Sequence, residues 1–306
     1  MTDYILETKN LTKTYGDKQA IDQISIQIKR GAIYGLIGRN GAGKTTLLKI
    51  ISGLAFQTDG EVLLFGEKTA KTSNLLERVG VLIEAPGLYP NLTAYENVRL
   101  KCIAYGINRE GYITSLLEQV GLDYTGEKKT RHFSLGMKQR LAIALALVGE
   151  PDLLLLDEPA NGLDPQGIIE IREVLLKLSK EQNITIIISS HILEELAKIV
   201  TRIGIIDEGK LLEEIDKDEL LEKTKDKIEI KTGDVEKTIV VLEEQFGIEK
   251  LKVIDQETLY VYEKIEESGA MNKALVNAGI IIHSLAINRE SLEDYFIDLT
   301  GGGSHV

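Results

Sequence analysis

A single cysteine, Cys102, stands in a chain of 306 residues. That excludes an internal disulfide and fits a reducing compartment. Its thiol reads as a small buried apolar side chain rather than a reactive one. Basic residues are also in deficit: 36 Lys and Arg face 48 Asp and Glu, a formal net charge of −12. Proteins that hold nucleic acid through phosphate contacts are usually basic, so no nucleic-acid partner is expected. Long apolar runs are missing. Leu141 to Val148, LAIALALV, is among the longest, far short of the ~20 residues a membrane helix needs. The opening MTDYILETKN has no basic segment leading into an apolar core, so no secretory leader is expected. No repeat of fixed period runs along the chain. The remaining composition, 43% apolar and 27% charged, is that of a globular protein long enough for about two domains.

Apolar strands and helices alternate in the first two thirds. Ser25 to Ile28 alternates with period two, and Gly16-Asp17 marks a tight turn. Ala32 to Ile37 predicts a strand running into a glycine-rich turn, and Thr45 to Ser52 a helix stopped at Gly53. Residues 88 to 132 read as mostly helical. Asp152 to Leu156 (DLLLL) and Ile184 to Ile188 (ITIII) are continuous apolar runs, the mark of strands buried on both faces. This alternation predicts an α/β fold with a mostly parallel sheet. Glu208 to Lys227, dense in both charge signs, reads as a solvated connector or exposed helix. Beyond it, strand-like Ile228–Lys231, Leu251–Ile254, Leu259–Tyr262 and Ile280–Ile287 interleave with helical Val235–Phe246 and Glu266–Asn277. That β-α-β-β-α-β order matches the ferredoxin-like motif. Ser291 and Asp294 form a capping box for a last helix. Gly301 to Ser304 reads as a flexible end.

The residues Gly38-Arg39-Asn40-Gly41-Ala42-Gly43-Lys44-Thr45 fit G-x-x-x-x-G-K-[ST]. Glycines let a loop curl until its N–H groups converge on a polyanion, and the following helix turns its positive end to the same phosphates. Lys44 reaches the β- and γ-phosphates, and the Thr45 hydroxyl is placed for Mg²⁺. Downstream, LLLLDE ends a buried strand in two carboxylates. Asp157 can take the Mg²⁺ side through water, and Glu158 can orient or deprotonate an attacking water. A GTPase reading fails for want of N-K-x-D, since Asn272-Lys273-Ala274-Leu275 lacks the aspartate. Ser134, in FSLGMKQR, is a natural N-cap for a helix over Gly136 to Val148. Its hydroxyl, Gly136 and the helix N-terminus make a second anion site.

GRNGAGKTT, SLGMKQR, LLLLDEP, NGLDP and SSH, in that order, resemble the ATP-binding cassette (ABC) family of transporter ATPases over roughly residues 3 to 215. The resemblance implies a P-loop ATPase core with an antiparallel β subdomain and a helical subdomain. It implies ATP and Mg²⁺ as cofactors, bound at Gly38, Asn40, Gly41, Gly43, Lys44, Thr45 and Thr46. Tyr15 matches the aromatic residue that stacks on adenine. His191 matches the histidine that contacts the γ-phosphate, and Asp164 lies in the loop that crosses a dimer interface. In that family two cassettes close head to tail, so Ser134 and Gly136 of one chain meet the γ-phosphate held by the other. One copy of each motif implies a homodimer, or pairing with a sister chain.

Glu84 ends the apolar run VLIE. By itself it reads as a solvated strand end. In most of the family a glutamine stands there, touching Mg²⁺ and the attacking water. A carboxylate keeps the oxygen and adds a charge but cannot donate the amide hydrogen bond. Glutamate here resembles the bacitracin-resistance and lantibiotic-immunity branch, and FSLGM in place of L-S-G-G-Q also points to a variant branch. The metal set is then Thr45, Glu84 and Asp157, and the catalytic set Lys44, Glu84, Glu158 and His191.

These motifs predict an ATP-binding domain over 1–215 and a C-terminal α+β accessory domain with a flexible tail over 216–306. The expected function is an Mg-dependent ATPase that powers export of a drug, peptide antibiotic or lantibiotic. An integral membrane permease would form the pathway, with the ATPase in the cytoplasm, peripheral at the inner face of the cell membrane. The tail SLEDYFIDLT resembles the ends of drug- and peptide-antibiotic exporter ATPases. The alternative is a soluble cassette ATPase acting on ribosomes or nucleic acid, which usually carries two cassettes or a long coiled coil. A nucleotide-binding module without turnover is disfavoured by Glu158 and His191.

Overall fold

The continuous apolar runs become strands whose side chains find protein on both faces. In the computed structural model, which describes residues 3–69, 73–84, 87–289 and 291–301, the chain divides into two compact units, Met1–Lys217 and Asp218–Val306. Ala85 and Pro86, and the expected flexible end at Gly302 to Ser304, lie outside the described residues.

The first unit opens with β1 (Tyr4–Tyr15), β2 (Lys18–Ile24), β3 (Gln27–Lys29) and β4 (Ile33–Ile37). Helix α1 (Lys44–Ile51) follows the glycine loop, then β5 (Asp59–Leu64), β6 (Glu67–Lys68) and β7 (Val79–Leu82). Three helices come next: α2 (Ala94–Ala104), α3 (Tyr112–Gln119) and α4 (Leu135–Leu147). The chain then alternates through β8 (Leu153–Asp157), α5 (Pro165–Gln182), β9 (Thr185–Ser190), α6 (Leu193–Ala197), β10 (Arg202–Asp207) and β11 (Lys210–Asp216).

These strands form two sheets. The first is antiparallel, in the order β2-β1-β5-β6 with β3 also on β1. The second runs β11-β10-β4-β9-β8-β7, parallel throughout except for the β10–β11 pair. All five residues of β4 are buried, as are the first four of β8, which is why they carry no polar alternation. Leu47, Leu48, Ile50 and Ile51 of α1 are buried in a core shared with Leu36, Leu155 and Ile187. Burying each such side chain fully is worth about 1.5–3 kcal/mol.

Within residues 208–227, expected as a solvated connector or exposed helix, Lys217–Lys223 is a helix that buries only Leu220, but the stretch before it differs. Lys210–Asp216 is a strand, turned back on β10 at Gly209 with φ 80°. Its charges concealed a half-buried alternation that buries Ile215, and Glu214 accepts a 2.8 Å hydrogen bond from the buried Tyr34 hydroxyl. Helix α4 starts at Leu135, one residue before the expected start, and Ser25 and Ile26 precede β3 rather than belong to it.

The second unit contains most of α7 (Lys217–Lys223), then β12 (Lys227–Thr232), α8 (Val235–Phe246), β13 (Leu251–Val253), β14 (Thr258–Val261), α9 (Ser268–Asn277), β15 (Ile282–Asn288) and α10 (Leu292–Leu299). Its antiparallel sheet runs β13-β14-β12-β15. Ile228, Ile230, Leu242, Leu259, Val261, Met271 and Leu275 make its core. The Ser291–Asp294 capping box at α10 is formed. Among the described residues, no helix is long and apolar enough to cross a membrane.

Candidate active site

Parallel register gathers the motif residues at one edge of the six-stranded sheet. Ile37 pairs with Ser190, Asp157 with Ser189, and Leu82 with Leu156. The glycine loop, Glu158, His191 and Glu84 therefore all leave the carboxyl ends of adjacent strands, where α/β sheets bind ligands.

The loop residues Arg39, Asn40 and Gly41 are exposed, whereas Gly38 is buried at its root. Gly43 has φ 112°, and a Cβ there would come within 2.6 Å of the Ala20 carbonyl, so only glycine fits. Gly41, at φ 84°, has nothing within 4 Å of its missing Cβ. That leaves a clear approach on this side of the loop. Helix α1 has no side-chain cap and no acidic residue in its first turn, so no side chain of that turn competes with an anion for its first amides.

Lys44 is buried, 4% exposed. Its Nζ donates to the carbonyls of Gly38 (2.7 Å) and Arg39 (3.2 Å) and lies 3.2 Å from Glu158 Oε1. The other oxygen, Glu158 Oε2, sits 2.6 Å from His191 Nδ1. Glu158 is held in the left-handed region, φ 47°, a conformation that costs of order 1 kcal/mol and clusters at functional sites. Beside it, the Thr45 hydroxyl donates to Asp157 Oδ2 at 2.6 Å. Hydroxyl and carboxylate oxygens are the hard donors that Mg²⁺ takes, usually with substrate phosphates completing the shell. Among the described residues no group of three or more His, Cys, Asp or Glu could by itself hold a metal ion.

Ser189 carries a role that the sequence reading left unassigned within SSH. Fully buried, its Oγ donates to Asp157 Oδ1 at 2.5 Å and accepts the Glu158 N–H at 2.9 Å. One hydroxyl thereby ties the Asp157 carboxylate to the backbone of Glu158. Tyr15, at the end of β1, is 51% exposed, with Lys13 Nζ 4.6 Å from its ring centroid. Thr46 is half-buried in α1.

Glu84 is exposed, has φ 66°, and gives Oε1 to Lys49 Nζ at 2.6 Å. That hydrogen bond holds the Glu84 carboxyl below its ordinary range. The same bond, with smaller help from the Glu84, Tyr15 and Asp157 charges, holds the Lys49 ammonium above its own. Lys49 lies one helical turn beyond Thr45, the only signal in the sequence that could have marked it.

The remaining candidates sit at helix starts. Ser134 caps α4, its Oγ accepting the Met137 N–H at 3.2 Å, which leaves its own proton to donate. A Cβ on Gly136 would meet nothing closer than 3.8 Å, so internal packing does not demand glycine there. Asp164 caps α5, accepting the Gly167 N–H at 3.0 Å, with Pro165 opening the helix.

The ABC transporter family profile matches residues 21–161. The bacitracin transport ATP-binding protein BcrA of Bacillus licheniformis is 45% identical over 301 residues, 98% of each chain. The chain belongs to the ABC transporter ATP-binding family. This cassette is also 43% identical to the lantibiotic transport ATP-binding protein SrtF of Streptococcus pyogenes, over 72% of this chain and 95% of that one. Among solved structures it resembles cbiO1 of Clostridium perfringens, part of the ABC transporter complex cbiONQ. The TM-score is 0.67, with 29% identity over 81% of this chain and 98% of that one. It also resembles a dimeric post-hydrolysis state of the cassette MJ0796 bound to ADP and Pi. Here the TM-score is 0.62, with 30% identity over 69% of this chain and 98% of that one. The cassette is thus an ABC-type ATPase that binds ATP. Two full-length relatives carry transport names, which favours a transporter subunit over the ribosome-acting alternative.

Proposed function

We propose that this ATPase powers export of a peptide antibiotic of the bacitracin type through a separate membrane permease. It works as a homodimer on ATP with Mg²⁺. The observation that carries the reading is the Lys44–Glu158–His191 cluster at the sheet edge, in a chain matching a bacitracin transport subunit along 98% of both lengths.

The glycine loop at Gly38, Asn40, Gly41 and Gly43, with the amides of Lys44 to Thr46, cradles the phosphates. Lys44 moves its charge from the loop carbonyls to the β- and γ-phosphates. Tyr15 offers its exposed ring to adenine. Thr45, Asp157 and Glu84 supply oxygens for the metal; when bound, Mg²⁺ neutralises charge building on the phosphate oxygens. Glu158 takes the proton of the attacking water, and His191 steadies that carboxylate while meeting the γ-phosphate. Ser134, Gly136 and Asp164 face the partner copy, where the Ser134 hydroxyl and the start of α4 close on the nucleotide. The exposed Ser134 and the open space at Gly136 support this.

The ATP-binding domain spans about residues 1–215 and the accessory domain 216–306. The strand order of the second unit and its β-α-β-β-α-β succession support a ferredoxin-like fold for the accessory domain. The chain sits in the cytoplasm, held at the inner membrane face by its permease.

The test has two arms. Glu158→Gln should retain ATP binding and lose hydrolysis by about 10²–10⁴-fold. The protein co-expressed with its permease should protect sensitive cells from bacitracin, and the Glu158→Gln form should not. Full hydrolysis by Glu158→Gln sinks the catalytic assignment; protection that ignores the substitution sinks the export assignment.

A further inference from the structure

A carboxylate at position 84 brings a charge beside α1, and that charge has a partner. Glu84 Oε1 lies 2.6 Å from Lys49 Nζ, 35 residues away along the chain. Lys49 sits four residues after Thr45, on the same side of α1. Thr45 in turn donates to Asp157 at 2.6 Å. The Lys49 side chain is 34% exposed and that of Glu84 66% exposed, so the pair is accessible and can exchange partners. Glu84 is also in the left-handed region, φ 66°, and no other hydrogen bond from its side chain to the described residues is seen.

We propose that Lys49 is a positioning residue that latches the Glu84 carboxylate to the flank of α1, so that Glu84 reaches the metal only by giving up this ion pair. The inference rests on the metal-site reading above, in which Thr45, Asp157 and Glu84 supply oxygens. Its own content is that Lys49 and a metal ion compete for one carboxylate. A glutamine at 84 would have no charge for Lys49 to hold, so the latch belongs to the glutamate form.

Competition of this kind shows in Mg²⁺-dependent nucleotide binding without turnover. The full-length protein is titrated with Mg²⁺ at fixed fluorescent ATP analogue, and the half-saturating Mg²⁺ concentration is read for each variant. Lys49→Met frees the carboxylate, so the half-saturating concentration should fall by about two- to fivefold, the range of exposed ion pairs. Lys49→Arg keeps a cation on Glu84 and should retain the parent value. In the Glu84→Gln background, Lys49→Met should change nothing, because there is no carboxylate to release. An equal fall in both backgrounds would mean a general effect of removing a positive charge and would overturn the latch. So would no change in either background, or a rise, which would mean that Lys49 delivers Glu84 to the metal. Lys44→Ala and Asp157→Asn run beside these as checks on the underlying reading. If Lys44→Ala still binds nucleotide, or Asp157→Asn keeps the parent Mg²⁺ dependence, the site assignment fails rather than the latch alone.

Discussion

Ser189 holds together two acidic residues of the proposed site. Its hydroxyl is the link between Asp157 and Glu158, accepting from one backbone and donating to one carboxylate. The hydroxyl is fully buried, so water cannot replace it at no cost. Ser189→Ala leaves the Glu158 N–H without this acceptor and Asp157 without this donor. An unsatisfied buried group costs roughly 1–3 kcal/mol. The expected outcome is a lower urea midpoint together with slower ATP turnover at saturating nucleotide. The stability loss is read from denaturant unfolding and the turnover loss from phosphate release. Turnover at the parent rate with lowered stability would reduce Ser189 to a structural residue. The same logic separates Asp164 from its neighbours: it caps α5 within its own chain, so its loss acts on stability whatever it does for a partner.

Among the elements, α2, like α10, starts with a complete capping box. Thr93 accepts the Glu96 N–H at 3.1 Å and Glu96 accepts the Thr93 N–H at 2.7 Å. Thr93 is buried, so Thr93→Ala should destabilise the protein by about 0.5–2 kcal/mol, the usual cost of a lost cap, measured by thermal or urea unfolding. The Thr93 N–H, with Lys129 next, holds the Glu96 carboxyl below its ordinary range. A depressed folded value means this contribution is complete above the ordinary carboxylate range and is lost as pH falls through the depressed one. The titrating half of the cap is the Glu96 carboxylate, so the Glu96→Gln penalty should shrink at acidic pH; a Glu96→Gln penalty that is the same at pH 7 and well below the carboxylate range contradicts this contribution. Elements like this are legible in sequence because their cause is local. Ser134, Ser291 with Asp294, and the runs that became β4, β8 and β9 needed only near neighbours. Strand β11 was not legible: KLLEEID reads as charge, and its order comes from β10 and from Tyr34, 180 residues away from Glu214. The Glu84–Lys49 and Ser189–Asp157 contacts were hidden for the same reason, since helix packing in one case and sheet register in the other bring together residues 35 and 32 apart.

On the scale of the whole molecule, the two helix starts proposed to bind phosphate raise a question of symmetry. In the proposed function both Lys44 and Ser134 meet a phosphate, yet a site that needs the pair from different copies is a prediction about assembly, not about one chain. A head-to-tail dimer contains two composite sites, each with Lys44 from one copy and Ser134 from the other. Lys44→Ala and Ser134→Arg should each abolish hydrolysis alone. Mixed and allowed to exchange, they form dimers in which one site carries both lesions and the other carries neither. Half of randomly paired chains are mixed, and each mixed dimer has one intact site of two. Hydrolysis should therefore recover to about a quarter of the parent rate per chain. The mixing curve, recorded as phosphate release against the ratio of the two variants at fixed total protein, should peak at equal amounts. If both residues served the same nucleotide within one chain, every dimer in the mixture would hold two damaged sites. The curve would then stay at the floor across all ratios, and the head-to-tail arrangement would have to be abandoned.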